Sequence, residues 1–169
     1  MLFRSDFAAK NNIGAILVEG WNEGWEKWGN VADRESTFSY VTPYPDYDLK
    51  EVVRYGKEKG VDLIMHHETA GTPRAYERQL DTAYALMKSL DIHAVKTGYV
   101  GKILPDGEYH HGQWMVNHYQ KVLETAAKYG NDLPSTVRDD TRHPEESFPR
   151  NRSLQHGPKR DDFQLSRIL

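Results

Sequence analysis

The chain has 169 residues, one domain's length, with 38% hydrophobic and 28% charged positions, a balance that excludes wholesale disorder and a fibrous chain. A net charge of −3 leaves no basic field to drive binding of nucleic acid or of an anionic membrane. The absence of cysteine removes disulfides and thiolate metal sites, and no apolar run is long enough for a spanning helix.

Residues 1–20 lack a basic segment followed by an apolar core, so no signal peptide is expected there. Leu2–Lys10 reads as a leading helix. Ile13-Gly-Ala-Ile-Leu-Val-Glu19 reads as a buried strand closed by a polar residue. Asp48 to Lys59 carries apolar positions at 49, 52, 53 and 55, with Asp48 as N-cap and Gly60 as the stop. Val61–His67 is the second strand and Arg74–Leu90 the second long helix. Ile92–Lys96 is the third strand and Gln113–Tyr129 the last helix. Strand and helix in alternation predict parallel βαβ units. The expected fold is α/β, a partial (β/α)8 TIM barrel of about three βα units, since a complete barrel needs roughly 250 residues. Residues 1–130 form that unit. Residues 131–169 hold a proline and no apolar run where a fourth strand should follow, and read as an irregular or disordered tail. A reading-frame error is one account of that tail.

The loops after the strands hold the unusual chemistry, and a parallel α/β protein binds its ligands at the carboxyl ends of its strands. The chain has four Trp and ten Tyr, with Trp21, Trp25 and Trp28 inside one loop, and eight His. In His66-His67-Glu68, alternation puts His66 and Glu68 on one face and His67 on the other. An imidazole and a carboxylate on one face suit a sugar hydroxyl and an activated water, or else a solvated strand end. A metal reading is weaker, because adjacent His on a strand diverge. In Glu19-Gly-Trp-Asn-Glu-Gly-Trp-Glu-Lys-Trp28, indole faces and carboxylates suit pyranose rings, or the indoles plug the loop against the core. Lys96 bonds a substrate oxygen, pairs with a carboxylate such as Glu68, or stands exposed. Glu108-Tyr-His-His-Gly-Gln-Trp114 is a second polar and aromatic cluster, whose His110 and His111 equally read as helix-start residues in solvent.

No phosphate-binding glycine loop, no Gly-x-Ser-x-Gly elbow and no Cys/His pair is present. Carboxylates among aromatics remain, the chemistry of glycoside hydrolysis. Five strings in order over residues 1–130 resemble glycoside hydrolase family 97: Leu-Val-Glu-Gly-Trp-Asn-Glu-Gly-Trp (17–25), Thr-Pro-Tyr-Pro-Asp-Tyr-Asp (42–48), Leu-Ile-Met-His-His-Glu-Thr (63–69), Ala-Val-Lys-Thr-Gly-Tyr-Val-Gly (94–101) and Gly-Glu-Tyr-His-His-Gly-Gln-Trp-Met-Val-Asn-His-Tyr (107–119).

The resemblance implies a calcium-dependent exo-acting α-glycosidase with a (β/α)8 catalytic barrel, periplasmic or secreted. Inverting members act as α-glucosidases and retaining members as α-galactosidases. It matches Glu68 to a catalytic base, and Glu19, His66 and Lys96 to substrate contacts. Trp21, Tyr99, Glu108 and His110 complete the expected substrate-binding set. Retaining members carry a nucleophilic Asp where this chain has Gly98, so inversion is expected. The general acid, a second base and the calcium-binding glutamates belong to regions of the family outside this chain, and no metal ligand is assigned here. The expected partner is an oligosaccharide or α-glucoside, with hydrolysis absent from the chain alone. The alternatives are a non-catalytic carbohydrate-binding fragment and a retaining α-galactosidase-like relative.

Overall fold

The apolar runs and amphipathic segments become a parallel sheet with its helices packed on one face. The computed structural model describes residues 2–27 and 38–130, and the backbone of 136–139. The elements in chain order are α1 (Leu2–Lys10), β1 (Ala15–Val18), a 3-10 turn (Trp25–Lys27), α2 (Leu49–Glu58), β2 (Asp62–Glu68), α3 (Pro73–Glu77), α4 (Leu80–Ser89), β3 (Ala94–Gly98), α5 (Gln113–Tyr129) and β4 (Thr136–Asp139). The sheet order is β1-β2-β3-β4, all parallel, with no reversal of direction along it.

β4 corrects the expectation that the chain beyond α5 forms no strand. Thr136-Val137-Arg138-Asp139 pairs with Ala94–Thr97. A four-residue strand held by main-chain bonds needs no apolar run. Residues 131–135 and 140–169 of the expected tail lie outside the described residues, as does Trp28.

Register assigns the two faces. Val18, Leu63, Met65 and Val95 join Val52, Val53, Ala83, Met87, Val122 and Ala126 of the helices in one buried cluster. The other face carries Leu17, Ile64 and Ala94 as directly paired neighbours, half-buried or exposed. Further along this second face lie the His66–Lys96 and Glu68–Gly98 pairs. Polar chemistry therefore collects at the carboxyl ends of the strands, on the side away from the helices.

α2 starts where expected, with the Asp48 carboxylate accepting from Glu51 N at 2.9 Å. The helix expected over 74–90 is instead two, α3 and α4, broken at Arg78-Gln79. The Gln79 amide accepts from Tyr40 N at 3.1 Å and donates to Phe38 O at 3.0 Å. The break thus places one side chain to clamp the loop that returns from β1, a long-range reason that helical periodicity does not carry.

Gly56 sits inside α2, where glycine ordinarily costs about 1 kcal/mol against alanine. A β-carbon there would fall 2.7 Å from the backbone oxygen of Val61, and Val61 N donates to Gly56 O at 2.9 Å. Contact outweighs propensity at this position. Gly56→Ala is expected to lower the denaturation midpoint although alanine is the better helix former, and a rise in the midpoint on chemical unfolding would contradict the packing.

Candidate active site

β2 ends in Met65-His-His-Glu68, and the pleat divides these side chains. His67 points to the helices, where its Nδ1 lies 2.8 Å from the Tyr76 hydroxyl and its ring meets Tyr40 and Tyr84 edge-on. Burial, with a smaller contribution from His66, pushes its pKa down to about 3, so the ring stays neutral. It is a core histidine and not a ligand.

His66 and Glu68 face the other way, against Gly98 of β3. Glu68 is only 3% exposed. Its Oε1 accepts from Ala70 N at 2.8 Å and from Val100 N at 3.0 Å, so the loops after β2 and β3 both hold one carboxylate oxygen. Its Oε2 lies over the bare Cα of Gly98: a β-carbon there would fall 1.9 Å from Oε2 and 3.3 Å from His66 Nε2. Burial raises the Glu68 pKa, although the Val100 and Ala70 amides and the charge of Lys96 oppose the rise. Ala70 and Gly71 both have positive φ, at 49° and 74°, and turn the chain back at once after the strand. Holding a non-glycine residue left-handed costs about 1 kcal/mol, a local strain of the kind found at functional sites.

Glu19 and Lys96 complete the charged mouth. Lys96 Nζ stands 3.4 Å from Glu19 Oε1, and His66 Nδ1 stands 3.9 Å from the same oxygen. Lys96 therefore pairs with Glu19, and it reaches Glu68 only through its charge. Glu19 is 56% exposed, so the pair adds little stability and leaves an open carboxylate beside a half-buried ammonium group.

Two expected sugar-facing residues are placed elsewhere. Trp21 is 1% exposed in the helix-side core, and its indole N–H donates to His66 O at 2.9 Å; of the two readings of that loop, Trp21 takes the plug. Trp25 is the indole at the mouth, half-buried, with its ring 5.7 Å from that of His66 and its N–H on Asn22 Oδ1. Tyr99 is 4% exposed and turned to the helices, its hydroxyl 2.9 Å from His118 Nε2. Alternation already placed it there, on the face of Val95 and Thr97. His110 donates from Nε2 to Tyr99 O at 2.9 Å, a bond that fastens the loop. Glu108 is half-buried on that loop, its carboxylate beside Gly112 at the start of α5. Tyr40, which sequence reasoning missed, donates its hydroxyl to Glu68 O at 2.9 Å. Among the described residues, no three His, Asp or Glu gather into a group that could hold a metal ion.

A carboxylate, an imidazole and an ammonium group stand at the carboxyl ends of parallel strands of this α/β domain, with an indole beside them, an arrangement capable of acid–base chemistry on a polar ligand. Residues 5–131 match the model of glycoside hydrolase 97, and the chain belongs to glycoside hydrolase family 97. It is similar to the solved family 97 enzyme from Pseudoalteromonas sp. strain K8 in complex with acarbose, at 38% identity and a TM-score of 0.69, over 80% of this chain and 22% of that one. A point variant of that enzyme in complex with panose matches with the same figures. The chain thus spans about a fifth of the length of the solved enzymes it matches.

The buried neutral His67 sets an acid limit on the fold. Its pKa is depressed, so the unfolded chain binds a proton there below about 6.5 while the folded chain does not. Stability from this group is complete above that pH and falls on acidification toward about 3. The pH dependence of the unfolding free energy should therefore flatten over that window in His67→Phe; an unchanged slope would mean that the ring titrates normally.

Proposed function

We propose that this chain supplies the base-bearing part of the catalytic mouth of a glycosidase that hydrolyses terminal α-glucosidic bonds with inversion. The observation that carries the reading is Glu68 lying over Gly98. A nucleophilic carboxylate at position 98 would need the space that Glu68 Oε2 fills, so the residues leave one carboxylate and a bare backbone, an arrangement that suits attack by water. Family membership and the acarbose and panose held by the similar enzyme support an oligosaccharide substrate. The sequential strand order, with helices on one face, supports neighbouring strands of a (β/α)8 barrel.

In this mechanism Glu68 takes the proton of a water that attacks the anomeric carbon from the face opposite the leaving group. Desolvation makes it a stronger base than an exposed carboxylate. Glu19 accepts from a sugar hydroxyl, and Lys96 and His66 donate to sugar oxygens. Trp25 offers an apolar face to the ring. The general acid and any calcium belong to parts of the complete enzyme outside this chain, and no step here runs through them. The complete enzyme is proposed to be periplasmic or secreted, as the family suggests.

Replacing the matching segment of the Pseudoalteromonas enzyme with residues 5–131 tests the reading. The chimera should release the inverted sugar anomer, and Glu68→Gln should cut kcat by about 10³-fold with KM little changed. The retained anomer, or near-full activity in the Gln variant, would overturn it. The 169-residue chain alone should bind panose by calorimetry without turning over an aryl α-glucoside.

The same substitution reads out in stability. Because the folded pKa of Glu68 is raised, its stabilising contribution is complete only while it is protonated and is lost as pH rises through that pKa. Gln is neutral throughout. Glu68→Gln should raise the thermal midpoint at neutral pH, by an amount that shrinks on acidification; a lower midpoint at neutral pH would show that the buried charge is not costly.

A further inference from the structure

Behind the sheet, on the face away from the mouth, a chain of polar groups runs from α3 through α5 to the residue between Gly98 and Val100. His118 of α5 has a side chain with no exposure to solvent. Its Nδ1 lies 2.8 Å from Glu77 Oε1 of α3, and its Nε2 lies 2.9 Å from the Tyr99 hydroxyl. A carboxylate only accepts, so Nδ1–H donates to Glu77, and in the neutral ring Nε2 accepts the Tyr99 proton. Lys121, one turn along α5, holds the second oxygen of Glu77 at 2.7 Å. Burial acts to raise the Glu77 pKa, but the bonds from Lys121 and His118 outweigh it and hold the carboxyl below its usual value, so the acceptor at the end of the chain stays ionised. The imidazole is fixed by packing as well as by bonds: Trp114 stacks on it at 6.2 Å and 8°, and Tyr119 meets it edge-on.

The carboxylate orients a buried histidine, and the histidine in turn bonds a tyrosine that faces the helices and not the mouth. Its use lies in the backbone. Tyr99 is held at its hydroxyl by His118 and at its carbonyl by His110. The peptide that follows carries Val100 N, which donates to Glu68 Oε1, and the residue before it is Gly98, under Glu68 Oε2.

We infer that Glu77 and His118 are positioning residues that act through Tyr99 to hold the Gly98–Val100 backbone against the Glu68 carboxylate. The inference rests on the reading of Glu68 as the base for its functional meaning, but the geometric claim stands without it. The Tyr99 side chain thereby links Glu77 of α3 and His118 of α5 to the backbone that carries Val100 N, one of the two amides on the Glu68 carboxylate.

The test follows the Glu68 carboxyl by carbon NMR titration and the Val100 amide by hydrogen exchange, in this chain with Tyr99→Phe and His118→Phe. Groups that face Glu68 are Lys96 of β3, His66 of β2, Glu19 beyond them and the Tyr40 hydroxyl on its carbonyl. Groups that face His118 are Glu77 and Tyr76 of α3, Lys121 through Glu77, Tyr99 and Tyr119, with Arg74 over Trp114. None of these is altered by Tyr99→Phe except through the lost hydroxyl. Weaker donation from Val100 should raise the Glu68 midpoint by about half a unit and speed exchange at Val100 with no change at Ala70. Val122→Ala, which opens the core on the same helix, is the control: it should lower the global midpoint and leave the Glu68 titration in place. If His118→Phe does not fold, Tyr99→Phe decides alone. An unshifted Glu68 midpoint and an unchanged Val100 amide in Tyr99→Phe, or an equal shift in Val122→Ala, would overturn the inference. Because no substrate is used, that failure differs from a failure of the chimera to hydrolyse glucosides.

Discussion

A buried carboxylate needs donors, and Glu68 has two main-chain amides on a single oxygen, one from each of the loops that follow β2 and β3. An ionised side chain at 3% exposure is costly unless such bonds are held in place. Most of the local architecture can be understood as meeting that requirement. Left-handed backbone at Ala70 and Gly71 reverses the chain within hydrogen-bonding reach of Glu68. Thr69 ties the two loops together, since its N–H and its hydroxyl each lie 2.9 Å from Gly98 O. Glycine at 98 is needed by contact and not by φ, because any β-carbon would occupy the position of the carboxylate.

The helix side of the sheet keeps that arrangement stiff. Three aromatic side chains bond to the backbone or side chains of β2 from behind: Trp21 to His66 O, Tyr40 to Glu68 O and Tyr76 to His67. Each is essentially buried, so each bond is made where water cannot compete and where its loss would leave a polar group unsatisfied. Aromatic mass that looks on composition alone like ligand-stacking surface is therefore divided. Trp21, Tyr40 and Tyr76 support the strand that presents the carboxylate, and Trp25 remains beside His66.

How much of this was legible in the sequence depended on the range of the interaction involved. α1, α2, α5 and the parallel pairing followed from short-range periodicity and caps, and His66, His67 and Glu68 divided between faces as a two-residue repeat requires. Tyr99 was legible by the same repeat, counted from Lys96, but its place in a polar motif obscured that signal. Trp21 was not legible, because a left-handed Gly20 turns the chain between Glu19 and the indole and no periodicity runs through such a turn. The break between α3 and α4 arises from Gln79 bonding to residues some forty positions away, and β4 from main-chain pairing with little side-chain signature. Tertiary contacts decided all three.

The contact between Glu68 and Gly98 is open to a direct measurement. Amide hydrogen exchange at Ala70 and Val100, compared between the natural chain and Gly98→Ala, reports whether the carboxylate still sits over residue 98. A methyl group there should drive it off, and both amides should lose protection together while β2 and β3 keep theirs. Unchanged protection at both positions would show that the carboxylate was never pressed against that glycine, and the reading of the mouth built on it would fall.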